Sequence, residues 1–129
     1  MNKSGGMSAP WALILGTFLL ISGIWGMTSP VVFGVLTTNV LHAAIHIVLG
    51  IAGLYTGLKG GSRGWCLLVG GILLVVGVLR FVPVIGDILQ SLLAVNATVA
   101  IFNIVVGLVT IVVARMSTVA PVAKVESRV

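Results

Sequence analysis

The chain has 129 residues, of which 59% are apolar and only 7% charged, with a formal net charge of +5 and a mean hydropathy of +1.29. A soluble domain carries about 25% charged residues, so this composition cannot keep a water-facing surface solvated, and a soluble globular protein is excluded. The basic residues are scattered, without a Lys/Arg block or interleaved aromatics, which argues against nucleic acid as a partner.

Taken from the N-terminus, Lys3 precedes an apolar run from Trp11 to Met27. That run exceeds a signal-peptide core of about 7–15 residues and has no small-x-small cleavage site after it, so it is expected to be a retained first span. Thr28-Ser29-Pro30 breaks it, and the apolar stretch Val31–Leu36 is too short to cross a bilayer. A second span is expected over Asn39–Leu58, a tight turn over Lys59-Gly60-Gly61-Ser62-Arg63-Gly64, and a third span over Trp65–Val82. The apolar stretch Val84–Leu93 is again short and suits an interfacial or re-entrant segment. A fourth span is expected over Asn96–Ala114. The polar tail Met116–Val129, with Pro121 and three charges, has no sustained period and is expected to be disordered alone. The runs lack two-residue alternation, which excludes a barrel. The expected fold is all-α, an integral membrane four-helix bundle. Residues 1–10 form its N-terminus, 11–114 the membrane domain and 115–129 a tail.

With four spans, Lys3, Lys59, Arg63, Arg115, Lys124 and Arg128 share one side, and Arg80 stands alone on the other near Asp87. The positive-inside rule makes the first side cytoplasmic, with both termini there, and Trp11 and Trp65 fall at that membrane edge. This is the pattern of a multi-pass protein of a bacterial inner membrane.

The sequence also repeats. Trp11, Gly16 and Gly23 match Trp65, Gly70 and Gly77 at an offset of 54, and Asn39, Ala43, Gly50 and Gly57 match Asn96, Ala100, Gly107 and Ala114 at an offset of 57. The change of offset falls in the outer connection, where insertions are tolerated. Two tandem helix pairs, 11–58 and 65–114, are therefore expected in parallel orientation about an axis along the membrane normal.

Asn39, Ala43, His46, Gly50, Gly53 and Gly57 recur at three- and four-residue steps, as do Asn96, Ala100, Asn103, Gly107, Thr110 and Ala114. Each set forms a stripe of small and polar residues on one helix face. Lipid supplies no hydrophobic drive for helix association, so such stripes are expected to give close packing and interhelical hydrogen bonds, helped by the GxxxG of Gly53 and Gly57.

His42 and His46, one turn apart, are the only histidines. A polar group inside a span is by default a functional candidate. One reading is structural, a hydrogen-bonded set of Asn39, His46, Asn96 and Asn103 joining the halves, with both outer asparagines at helix N-caps. The other makes His42 or His46 an axial ligand of haem or chlorophyll. Two histidines on one helix cannot clamp one haem from both faces, so bis-histidine ligation needs a second chain, whereas a chlorophyll needs only one histidine. Cys66 is the single cysteine and begins its span far from the pair, so no tetrahedral metal site and no internal disulfide are expected. Asp87 and Glu126 are the only acids and fall on opposite sides. No carboxylate pair or nucleophile with a base is visible, so no enzyme is expected. Proton-coupled transport usually needs an acid within a span, and none is present.

The run Thr38–Leu54, with Asn39, His42, His46, Gly50, Gly53 and Leu54 in an Asn-x-x-His-x-x-x-His-x-x-x-Gly-x-x-Gly-Leu pattern, resembles the small bacterial membrane proteins grouped as domain of unknown function 4383. The resemblance covers roughly residues 10–114 and implies tandem helix pairs without implying an activity. In the second repeat Val99 and Asn103 stand at the histidine positions. The expected role is an accessory or structural subunit in the lipid bilayer, packed against other membrane-protein subunits. A pigment- or haem-binding subunit is the alternative, and a small channel a third class.

Overall fold

The computed structural model describes residues 6–117. Among these residues five helices and one short ribbon are present, so the fold is mostly helical. The elements are α1 (Ser8–Gly26), β1 (Val31–Val32), β2 (Leu36–Thr37), α2 (Val40–Lys59), α3 (Ser62–Leu79), α4 (Ile85–Leu93) and α5 (Ala97–Met116). Four helices, of 19, 20, 18 and 20 residues, are long and apolar enough to cross a membrane. Several boundaries differ from the sequence expectation: α3 runs from Ser62 to Leu79 rather than from Trp65 to Val82, so that Ser62, Arg63 and Gly64 are helical rather than part of the turn. Residues 8–10 extend α1, and Arg115 and Met116 belong to α5 rather than to a tail. Polar side chains make these extensions possible. The Ser8 backbone N–H and hydroxyl donate to Ser117 Oγ at 3.0 and 2.8 Å, and that hydroxyl donates to the Val113 carbonyl at 2.8 Å. The disorder expected for the tail concerns residues 118–129, which lie outside the described residues.

Glycine determines how the helices pair. A methyl group on Gly16 of α1 would lie 3.0 Å from the Gly50 carbonyl oxygen of α2, and one on Gly50 2.7 Å from that of Gly16. The same relation joins α3 and α5, where Gly70 faces the Gly107 carbonyl at 3.0 Å and Gly107 faces that of Gly70 at 2.8 Å. One level outward, Gly23 sits against the Ala43 carbonyl and Ile47, and Gly77 against the Ala100 carbonyl and Ile104. Such backbone contact gains dispersion energy that large side chains would forbid. The principal packing pairs are therefore α1 with α2 and α3 with α5.

The pairs meet through a core of Ala12, Leu15 and Leu19 with Trp65, Cys66, Val69, Leu73 and Ala114. Two indoles cross the interface. Trp65 Nε1 donates to the Leu49 carbonyl at 3.1 Å, its ring lying where Gly53 leaves room. Trp11 Nε1 donates to Thr110 Oγ1 at 2.9 Å, and that hydroxyl donates to the Val106 carbonyl at 2.7 Å. Arg63 Nε donates to the Ala114 carbonyl at 3.2 Å, so the α2–α3 turn sits at the same end as the start of α1 and the end of α5.

The opposite end is closed by the two connections. β1 and β2 pair antiparallel, Val31 with Thr37 and Val32 with Leu36, around a turn with positive φ at Phe33 and Gly34. The second connection, expected to be interfacial or re-entrant, is the helix α4. It is bounded by Val84 and Ala94, both at positive φ. Arg80 does not turn to Asp87. Its Nε donates to the Val95 carbonyl at 2.6 Å and its terminal nitrogen to Gln90 Oε1 at 2.9 Å.

Candidate functional site

Polar side chains concentrate where α2 begins, beneath the ribbon and α4. Asn39 caps α2, its Oδ1 accepting from the His42 backbone N–H at 2.9 Å. Its Nδ2 donates to the Leu92 carbonyl at 2.7 Å, tying the cap to the last turn of α4. Thr37 Oγ1 adds a bond to the Ala94 carbonyl at 2.5 Å. Asn96 caps α5 in the same way, accepting from Val99 N–H at 2.8 Å.

The two histidines follow from that cap. His42 Nδ1 lies 2.9 Å from the Leu93 carbonyl. A carbonyl only accepts, so Nδ1 carries the proton, and Nε2 of the neutral ring keeps a bare lone pair. His46 Nδ1 lies 3.2 Å from Ser22 Oγ of α1. With the Ser22 hydroxyl proton directed to the Leu19 carbonyl at 3.1 Å, Oγ is left to accept from His46 Nδ1–H, the tautomer in which His46 Nε2 is likewise bare. The rings meet edge to face, with centroids 4.4 Å apart and planes at 75°.

Beside them lies a cavity of about 30 Å³, its polar wall made by Ser22, Thr37, Thr38, His42, His46 and Asn103. Phe33, in the ribbon turn, stacks on Phe18 at 5.4 Å, and Phe102 packs against Phe18 at 5.6 Å. Trp25 meets Phe33 edge-on at 5.0 Å. The ribbon thus reaches the cavity wall through an aromatic stack.

The hydrogen-bonded set expected of Asn39, His46, Asn96 and Asn103 does not form. Asn39 reaches across to α4, Asn96 stays on its own helix, and His46 pairs with Ser22. The caps sit at the helix starts, too far along the axis to meet residues two turns in. Of the four, only His46 and Asn103 line the cavity. The small residues also serve two partners rather than one. Gly50 and Gly57 face α1, Gly53 faces Trp65 of α3, and Gly107 faces α3.

Sequence reasoning missed Ser22, a polar residue in an aliphatic span and so a usable signal. It also missed the Leu92 and Leu93 carbonyls, which carry no side-chain signal at all. A porphyrin or chlorin does not fit a space of this size, which suits one or two waters. Among the described residues no three His, Cys, Asp or Glu side chains come together to hold a metal ion. Asp87 is exposed on α4, and Glu126 lies outside the described residues. No protein family, curated protein or solved structure matches the chain.

Proposed function

We propose that the protein is a non-enzymatic, multi-pass component of a bacterial cytoplasmic membrane, an accessory subunit that packs against another membrane protein. Support comes from a contrast among the glycines. Every glycine within the four spanning helices meets a neighbouring helix except Gly64 and Gly71, beside which no described residue lies within 4 Å. These two share one face of α3 with the exposed Leu68 and Val75, at the spacing 64, 68, 71, 75. A glycine inside a helix costs about 1 kcal/mol relative to alanine, and here no contact among the described residues offsets it. A second helix laid against this face would use both. The polar groups at the outer end are meanwhile spent on caps and tethers rather than on a catalytic set.

The duplicated, parallel arrangement and the family resemblance belong to the same proposal. Supporting the duplication, Gly16 and Gly50 correspond to Gly70 and Gly107, each pair in mutual backbone contact. Trp11 meets position 110 and Trp65 meets position 53, which correspond at the offset of 57. The cytoplasmic placement of both termini is supported by Lys59, Arg63 and Arg115 at the end where α1 starts and α5 stops.

Purification from the native membrane in mild detergent tests the role. A co-purifying membrane protein is expected, with its recovery falling sharply in Gly71→Ile while the variant still folds. A stable monomer as the sole species overturns the proposal. A C-terminal fluorescent-protein fusion, bright only when cytoplasmic, checks the topology.

A further inference from the structure

We propose that the cavity between α1, α2 and α5 is a resident water site, in which one or two water molecules bridge Nε2 of His46 to the side-chain amide of Asn103. Three separate observations meet at this place. The first is Asn103. Only 5% of it is exposed, it stands on the cavity wall, and its amide finds no hydrogen-bond partner among the described residues. A buried amide left unpaired costs about 1–3 kcal/mol, and in the interior of a bilayer no bulk water relieves it. The second is the histidine tautomer. The Leu93 carbonyl takes Nδ1–H of His42, and Ser22 Oγ, donating to the Leu19 carbonyl, is placed to take Nδ1–H of His46; with that arrangement both rings turn lone pairs rather than protons to whatever lies beside Nε2. The third is size. A water needs about 10–15 Å³ and two to four polar partners; the cavity has about 30 Å³ and a wall that includes Ser22, Thr38 and Asn103.

These requirements select the ligand. The histidine demands a donor and the Asn103 Nδ2 group demands an acceptor. A small neutral molecule that does both is water. A bare cation would face two neutral imidazoles and an amide with no carboxylate on the cavity wall, an expensive arrangement at membrane depth. The site is independent of the proposed subunit interface, which lies on the outer face of α3.

The test uses the full chain in lipid bilayers, with histidine, asparagine and valine labelled with 15N and 13C for solid-state NMR. Both imidazoles are expected as Nδ1–H tautomers. Magnetisation from water is expected to reach His46 Nε2 and the Asn103 amide several-fold faster than it reaches Val69, which is fully buried in the dry core. In Asn103→Leu the transfer to His46 should fall to the Val69 level, while the His42 tautomer, held from α4, stays unchanged and reports that the fold is intact. Asn103→Ser, which keeps a polar group, should retain the transfer. Transfer to His46 and Asn103 no faster than to Val69 in the wild-type chain overturns the proposal, as does a proton on His46 Nε2. If Asn103→Leu disturbs the His42 signal, the wild-type measurement alone decides.

Discussion

Gly53 shows how much can depend on a missing methyl group. A Cβ there would lie 2.5 Å from Trp65 Cζ2, so the indole would have to leave the position from which Nε1 reaches the Leu49 carbonyl. Gly53→Ala is therefore expected to destabilise the protein by about 1–3 kcal/mol, the cost of overpacking, measured by reversible unfolding in mixed detergent. Gly64→Ala meets no described residue and is expected to be neutral or stabilising by about 0.4–1 kcal/mol. Thr110 answers Gly53 in the other half. There the hydroxyl stands between Trp11 and the Val106 carbonyl, relaying the bond that Trp65 makes directly. Thr110→Val removes the relay and is expected to cost about 0.6 kcal/mol, the average for hydrogen bonds between membrane helices, and at most about 1.7 kcal/mol. A Trp11→Phe/Thr110→Val double-mutant cycle should recover most of that as coupling. The spacing of Gly53 in the sequence identifies its helix face but not the indole opposite. Residue spacing fixes position around one helix axis and carries no information on which neighbour arrives.

At the scale of elements, the spans were legible because about 20 consecutive apolar residues have few alternatives. The asparagine caps were legible because a side-chain acceptor at a helix start satisfies an otherwise orphaned N–H. The two caps differ in one respect that the sequence does not carry. Asn39 bonds α4 as well as its own helix, whereas the side-chain bond of Asn96 goes only to its own helix. Asn39→Ala is accordingly expected to cost more than Asn96→Ala, with the excess appearing as faster amide exchange in Ile85–Leu93. The reason for α4 was equally hidden. It depends on Arg80 holding Val95 and Gln90, and on Gly86, where a Cβ would overlap the Arg80 carbonyl. Ile85, Ile88 and Leu92 recur on one exposed face, a surface suited to the boundary between headgroups and acyl chains. Arg80→Ala should release this helix, raising its exchange while leaving α3 and α5 protected.

For the molecule as a whole, packing divides unequally. Within each pair, glycine brings backbones into contact; between pairs, larger side chains, two indoles and a serine contact make the junction. The candidate site straddles that junction, since its polar wall draws Ser22 and His46 from one pair and Asn103 from the other. Sequence inspection places His46 and Asn103 at corresponding positions. It does not reveal the space between them, because a cavity is a property of the packed whole.

The contact between Ser8 and Ser117 bears on the order in which the helices are strung. The start of α1 and the end of α5 touch, and the exposed Gly60 and Gly61 turn lies at the same end. A chain opened between Gly60 and Gly61 and linked from Ser117 back to Ser8 would keep the helix–helix contacts among the described residues. Exposed loop tips are where such rearrangements succeed. A circular permutant beginning at Gly61 should therefore insert and unfold much like the parent, and so should two half-chains produced together. In this sense connectivity is secondary: the chain is two interlocking pieces whose union the covalent link hastens but does not define.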